Sequence, residues 1–214
     1  MTPSEIITDV RVLINDTDST SYRYTDTSLL AFVNDALQRM SLLRPDLFSI
    51  FADIVCTQNA VVQSAPSDCL RMMEVMRVVS GNALYESNRE TMDQNAPTWP
   101  TDTAAAAITW MRHPRSQTQF FIYPQAPAAQ SITIEYAQIP PTYLIGDTIT
   151  LVRGYETALI DCVVWLSQSI DDEHVSSGRA KMFLESFTQS LGISAQQRVA
   201  TDTEPAGLPP KATV

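Results

Sequence analysis

YTDTSLLAFVNDALQRMSLLRP, residues 24–45, is the stretch that decides the fold, because it predicts a long amphipathic helix with both ends marked. Asp26 is the predicted N-cap, since its carboxylate can accept from the first free N–H groups and lies at the positive end of the helix dipole. Pro45 disfavours helical geometry at Arg44 and ends the element. The apolar positions recur at offsets of three and four and should share one buried face: Leu29, Leu30, Val33, Leu37 and Met40.

Helices are also predicted at both ends of the chain. The first covers residues 2–15, where Thr2, Pro3 and Glu5 supply an N-cap, an N1 proline and a capping-box acid. Two more follow residue 150, the second of them at 175–191 with Gly192 as its C-cap. Their predicted buried residues are Val152, Tyr155, Leu159, Cys162, Val163, Leu166 and Ile170 in one, and Met182, Phe183, Phe187 and Leu191 in the other.

Between these helices the pattern changes to short apolar runs that are typical of strands. Strands are predicted at 54–56, 61–63, 73–79, 83–85, 108–112, 119–123 and 131–138, with one helical turn at 89–94. The predicted fold class is therefore α+β: the N- and C-terminal helices form a bundle, and an antiparallel β-rich unit is inserted between them. The predicted divisions are 1–48 and 151–192 for the bundle, 49–150 for the insertion and 193–214 for an extended C-terminal arm.

The last sixteen residues, VATDTEPAGLPPKATV (199–214), have no apolar period. Alone, such a segment cannot bury enough surface to offset its ordering entropy, which favours a disordered tail in a monomer. The alternative is an arm that becomes extended on a partner, for which Pro209 and Pro210 would lower the ordering cost.

Composition argues against several functions. The net charge is −10 and no basic run is present, so a phosphate-neutralising nucleic-acid site is not expected. No apolar run approaches the roughly 20 residues of a membrane span. The N-terminus does not resemble a signal peptide, and three scattered cysteines fit synthesis in a reducing compartment.

No catalytic constellation is found, and neither cofactor nor metal is expected. His113 and His174 have no Cys or His partner at metal-ligand spacing. The run Asp171, Asp172, Glu173, His174 is a poor metal site, because contiguous residues of a helix point in different directions. No P-loop, nucleophile elbow or dinucleotide-binding glycine pattern is present.

Several stretches, in order, resemble the head-to-tail adaptor (connector) proteins of tailed bacteriophages. The resemblance covers roughly residues 6–192. It is carried by LINDT (13–17), YTDTSLLAFVNDALQRM (24–40), RPDLF (44–48), SDCLRMMEVMRV (67–78), ESNRETMDQNAPTWP (86–100), FFIYPQAP (120–127) and ITIEYAQIPP (132–141). One departure is LVRG (151–154), where the family pattern would place a proline–acid pair at the start of the helix.

The resemblance implies a structural virion protein, made in the host cytoplasm, that is not an enzyme. Such adaptors form a ring, typically of twelve copies, between the portal and a downstream tail or nozzle protein, and genomic DNA passes through without specific binding. Asn34, Asp35, Gln38 and Arg39, opposite the apolar stripe, are then expected at a subunit interface rather than in solvent. The portal-binding residues are expected in the arm: Val199, Thr203, Pro205, Leu208, Pro209, Pro210 and Val214.

Two alternatives remain open. A tail-completion or tail-terminator protein would also form a ring, typically a hexamer, but would bind the tail tube. A small hydrolase using carboxylates such as Asp171, Asp172 and Glu173 is the alternative from a different class. The symmetry of the ring distinguishes a tail terminator from an adaptor. A bound metal, or an activity that depends on those carboxylates, would favour the hydrolase.

Overall fold

A computed structural model describes residues 1–79, 81–151, 153–170 and 177–192. The chain divides into two compact units, one formed by Met1–Ala36 with Tyr143–Val214 and the other by Leu37–Thr142. Helices and antiparallel strands are both present, so the predicted α+β class is confirmed. The predicted divisions of the chain at residues 48, 150 and 192 stay a prediction.

The helices are bounded as follows. They are α1 (Pro3–Ile14), α2 (Asp26–Leu43), α3 (Arg89–Asn95), α4 (Glu156–Gln168) and α5 (Ser177–Ser190), with 3₁₀ turns at Pro45–Phe48 and Arg153–Tyr155. In the first unit, α4 packs against both α1 and α5.

The start of α1 confirms its predicted capping box. The Thr2 hydroxyl accepts from the Glu5 N–H at 3.3 Å, and the Glu5 carboxylate accepts from the Thr2 N–H at 2.7 Å. Two N–H groups that have no partner within the helix are thereby satisfied. The helix ends at Asn15, which adopts the left-handed conformation with φ 57° and turns the chain out of the helix.

The N-cap of α2 differs from the prediction by one residue. The Thr25 hydroxyl accepts from the Ser28 N–H at 3.1 Å, so Thr25 caps the helix and Asp26 lies in its first turn. The carboxylate of Asp26 is instead bound by Arg11. The apolar stripe is confirmed, since Leu29, Val33, Leu37 and Met40 are fully buried and Leu30 is half-buried.

In the two C-terminal helices, five of the eleven predicted buried residues are buried. Leu159, Cys162, Val163, Phe187 and Leu191 are buried, and Gly192 has the positive φ of a C-cap, 64°. Tyr155 precedes α4 without a side-chain hydrogen bond to cap it, in keeping with the departure noted at LVRG. Leu166 and Phe183 are half-buried, and Val152 lies outside the described residues.

Two residues of these predicted stripes are exposed instead. Ile170 follows the end of α4 and is 44% exposed, because the helix stops at Gln168 before the next turn. Met182 is 68% exposed. An unbranched thioether costs little to expose, and isolated apolar residues on a surface are common.

The strands of the second unit form two sheets. The strands are β1 (Ser49–Val55), β2 (Val62–Ser64), β3 (Cys69–Val78), β4 (Tyr85–Glu86), β5 (Thr109–Arg112), β6 (Gln119–Tyr123) and β7 (Ser131–Gln138). One sheet has the order β1-β7-β3 and the other β2-β6-β5-β4. The predicted antiparallel arrangement holds for all neighbours except β4 and β5, which are parallel.

The core of this unit is built from the inner faces of its strands. Trp110, Phe120 and Ile134 are among its fully buried side chains, and along β7 buried and half-buried residues alternate as far as Tyr136. Trp99 packs edge-to-face on Phe121, with ring centroids 5.8 Å apart, and donates its indole N–H to Asp93 at 2.7 Å. Trp99 and Trp110 are therefore packing residues.

Candidate interaction surfaces

Arg11 holds the loop between α1 and α2 in one conformation. Its guanidinium donates to Asp16 at 2.5 Å, to Asp26 at 2.6 Å and to the Tyr24 carbonyl at 2.8 Å. It also stacks on the ring of Tyr22, 3.6 Å from the centroid. The family-like stretches LINDT and YTDTS therefore meet at one arginine.

Asp16 is the buried partner of this cluster. Its carboxylate also accepts from the backbone N–H of Arg23 at 2.7 Å, and its side chain is 6% exposed, as against 57% for Asp26. Tyr24 extends the network to α4 by donating its hydroxyl to the Ser167 carbonyl at 2.6 Å. Since unpaired buried charges are strongly destabilising, the loop is fixed by the Arg11–Asp16 pair.

Asn34 is occupied within its own subunit. Its carboxamide accepts from the Tyr143 N–H at 2.8 Å and donates to the Tyr143 and Leu30 carbonyls, both at 3.1 Å. It therefore anchors the segment that returns from the strands to the C-terminal helices. Burial raises the pKa of the Tyr143 phenol, and the Asp147 carboxylate adds to this effect.

The other predicted interface residues differ in exposure. Asp35 is half-buried, whereas Gln38 and Arg39 are exposed. Gln38 and Arg39 are therefore accessible to a neighbouring subunit, while Asn34 is held by the contacts above. The assignment of the four to a subunit interface stays a prediction. The seven predicted arm residues, from Val199 to Val214, and the run 171–174 lie outside the described residues.

A shallow apolar depression of about 290 Å³ lies beside the Arg11 cluster in the first unit. Val12 and Ile145 contribute apolar side chains that are 64% and 43% exposed, and Tyr22 contributes its ring. Ser4 holds the rim by donating its N–H to the Ile145 carbonyl at 3.2 Å. Apolar residues that gather at one exposed place are typical of surfaces that bind another protein.

Among the described residues, the ionisable groups do not cluster into a metal-binding centre. No group of three or more His, Cys, Asp or Glu side chains in this part of the chain could hold a metal ion. His113 accepts the backbone N–H groups of Arg115 and Ser116 at Nδ1, and so shapes a turn. No described helix combines the length and apolar character needed to cross a membrane.

Cys56, Cys69 and Cys162 are buried and are not joined by disulfides. Burial raises the pKa of the Cys56 thiol from 9.0 to about 11, and burial with the neighbouring Asp68 carboxylate raises that of Cys69 to about 11. Thiolate, the nucleophile, is therefore scarce at neutral pH.

We expect both thiols to react with iodoacetamide at pH 8 at least about 100-fold more slowly in the native protein than in the unfolded chain. A rise of two pKa units lowers the thiolate fraction by about that factor, and burial slows access further. Peptide mass spectrometry at timed intervals measures both rates, with the guanidinium-unfolded protein as the control. Equal rates would show that Cys56 and Cys69 are accessible thiols.

Sequence reasoning missed Arg11 and the Asn34–Tyr143 pairing. Arg11 follows Ile7 by four residues, so a charged side chain within the buried stripe of α1 was the available signal. The Asn34 contact spans 109 positions, and no local pattern predicts such a pairing. The exposure of Val12 could be predicted from its position on α1 alone, because it lies beside the buried stripe of that helix.

The family model of the SU10 adaptor protein matches residues 1–208 of this chain. The match includes all of the second unit and the first unit as far as residue 208. A comparison with curated proteins finds none that matches.

Proposed function

Because this chain belongs to the SU10 adaptor protein family, a family of phage adaptors, we propose that it is a head-to-tail adaptor that closes the joint between portal and tail after DNA packaging. As a phage adaptor it interacts with other head and tail proteins and is a component of the virion. The proposed assembly is a ring of about twelve copies beneath the portal. It is closed by heterologous contacts, in which one surface of each subunit binds a different surface of the next. The family match over residues 1–208 is the observation that carries this proposal.

The acidic character of the chain supports passage of DNA through such a ring. The net charge is −10, with 24 acidic against 14 basic residues. A lumen lined by an acidic protein repels phosphates, so DNA could move past it without specific binding. If DNA stays bound to the purified ring at physiological salt, this part of the proposal is wrong.

Subunit contacts are proposed on α2 and beside the Arg11 cluster. The exposed side chains of Gln38 and Arg39, with Asn34 and Asp35, form the polar part of the proposal. The apolar depression lined by Val12 and Ile145 is a further candidate, since burial of exposed apolar surface drives most association. Arg11, which lines the depression, is held by Asp16, and a wall that is already ordered lowers the cost of binding.

Electron microscopy of the purified protein, alone and mixed with purified portal, tests the ring. We expect closed rings with the rotational symmetry of a twelve-subunit portal adaptor, bound coaxially to the portal. Six-fold rings that bind tail tube and ignore the portal would favour the tail-terminator alternative.

The arm is tested by deleting residues 199–214. If this segment docks on the portal, as its proline content and lack of apolar period suggest, the deletion should abolish portal binding and leave the circular dichroism of the rest unchanged. A matched control keeps the length and composition but scrambles Val199, Thr203, Pro205, Leu208, Pro209, Pro210 and Val214. Unchanged binding by the deletion variant would contradict the docking role.

A further inference from the structure

Strand β1 is a sheet edge whose only charged residue is Asp53. It pairs with β7 on one side, from Ser49 opposite Ala137 to Val55 opposite Ser131, without a register shift. Within the described residues no strand pairs with its other side. The edges of the second sheet are three and two residues long, whereas β1 has seven residues and contains neither proline, glycine nor lysine. Natural proteins shorten, kink or charge such edges unless another chain uses them.

The backbone groups available at this edge can be identified from the ladder. The Cys56 N–H donates to the Gln130 carbonyl at 2.8 Å, so even-numbered residues of β1 direct their backbone groups toward β7. On the other side of β7, Val79 donates to the Ser131 carbonyl at 2.9 Å, which fits the same alternation. The N–H and C=O groups of Phe51, Asp53 and Val55 therefore face outward.

The side chains of the same three residues lie together on the outer face of the sheet. Phe51 is 63% and Val55 72% exposed, and the exposed Asp53 lies between them, accepting from the Thr133 hydroxyl at 2.6 Å. The edge thus presents an apolar, an anionic and an apolar position in alternation. Glu135, opposite Phe51 in β7, adds a second carboxylate to this side of the face.

In the register that pairs apolar with apolar residues, a second copy of this chain fits this edge poorly. If two β1 strands paired about a two-fold axis with Phe51 opposite Val55, Asp53 would stand directly opposite Asp53, and like charges at that distance are destabilising. Two apolar–basic–apolar alternations occur in or next to β3, one at Cys69, Arg71 and Met73 and one at Val75, Arg77 and Val79. Both stretches are already paired with β7 on one side, and Arg77 bridges to Ala83 on the other.

We propose that the outer edge of β1 docks an extended segment of a different polypeptide, which carries a lysine or arginine between two apolar residues at alternate positions. The backbone of the added strand bonds to Phe51, Asp53 and Val55, its basic side chain lies opposite Asp53, and its apolar residues cover Phe51 and Val55. The pattern is symmetric, so a parallel or an antiparallel strand satisfies it.

A capped seven-residue peptide tests the proposal, with valine at positions two and six, lysine at position four and threonine elsewhere. In ¹⁵N NMR titrations of the full chain, we expect shifts at β1 and slower amide exchange at Phe51, Asp53 and Val55. A peptide with glutamate at position four should bind at least about fivefold more weakly. No shift at about 5 mM peptide, or equal binding of the two peptides, overturns the proposal.

Two variants distinguish specific pairing of the peptide with β1 from non-specific binding. Asp53→Lys should reverse the preference, so that the glutamate peptide binds more tightly, a result that a purely structural role of Asp53 would not produce. Val55→Pro removes an outward N–H without removing a hydrogen bond to β7, so it should weaken binding of the lysine peptide. Val55→Thr keeps that N–H and should leave binding unchanged. If Val55→Pro instead abolishes ring formation in sedimentation, the occupant is a copy of this chain and the proposal is wrong.

Discussion

Replacing Arg11 with methionine should lower the free energy of unfolding of the first unit by about 3–5 kcal/mol. The substitution leaves the Asp16 carboxylate buried without its cationic partner and removes the donor to the Tyr24 carbonyl. It also releases Asp26, but this carboxylate is more than half exposed and contributes little. Urea denaturation followed by far-ultraviolet circular dichroism measures the loss, because most of the described helices belong to this unit.

The matched control is Lys181→Met, which breaks an exposed ion pair with Glu185 in α5, 3.7 Å apart. We expect it to change stability by less than about 0.5 kcal/mol. Combining Arg11→Met with Asp16→Leu should recover part of the loss, since the uncompensated charge is then absent. If the free energy of unfolding of the Arg11→Met variant lies within about 1 kcal/mol of that of the unchanged protein, the cluster does not stabilise the loop.

The second large effect is expected from Asn34→Ala, which should destabilise the isolated subunit by about 2 kcal/mol. The Tyr143 N–H and carbonyl lose their side-chain partners together, and the segment that follows the strands loses its anchor on α2. A residue whose role is limited to subunit contacts would behave differently, weakening the ring while leaving monomer stability unchanged. Urea denaturation at low concentration and sedimentation at high concentration measure the two effects separately.

Gln38→Ala provides the comparison on the same helix. Its side chain is exposed, so the change should alter stability by less than about 0.5 kcal/mol while remaining able to weaken a subunit contact. Asn34→Asp keeps the acceptor for the Tyr143 N–H but loses the donor to the two carbonyls, and an intermediate loss is expected. Full stability of Asn34→Ala would show that the Tyr143 contact is dispensable.

Local patterns predicted the elements of this fold well where one face of an element is buried. The capping box at Thr2 and the strand at Ser131–Gln138 are confirmed because each depends on neighbours within a few residues. The cap of α2 was misplaced because Thr25 and Asp26 are both good caps, and Arg11, fifteen positions away, binds the aspartate.

Pairing between distant segments was not predictable from the same patterns. β1 and the strand at 62–64 follow each other in the chain but belong to different sheets, and β1 pairs with β7 some eighty residues later. Alternation marks a strand and its buried face, but it does not identify the neighbour. For the same reason, the outward edge of β1 could be identified only from the register of the sheet. The polar face of α2, by contrast, could be predicted from periodicity alone.

The positions of the tryptophans make each unit separately observable by fluorescence. Trp99 and Trp110 are buried in the second unit, whereas Trp165 is half-buried on α4 in the first. A chain that retains Trp165 alone would report on the helical unit, and one that retains Trp110 alone would report on the sheets. Unfolding of one unit could then be distinguished from unfolding of the other in the same intact protein.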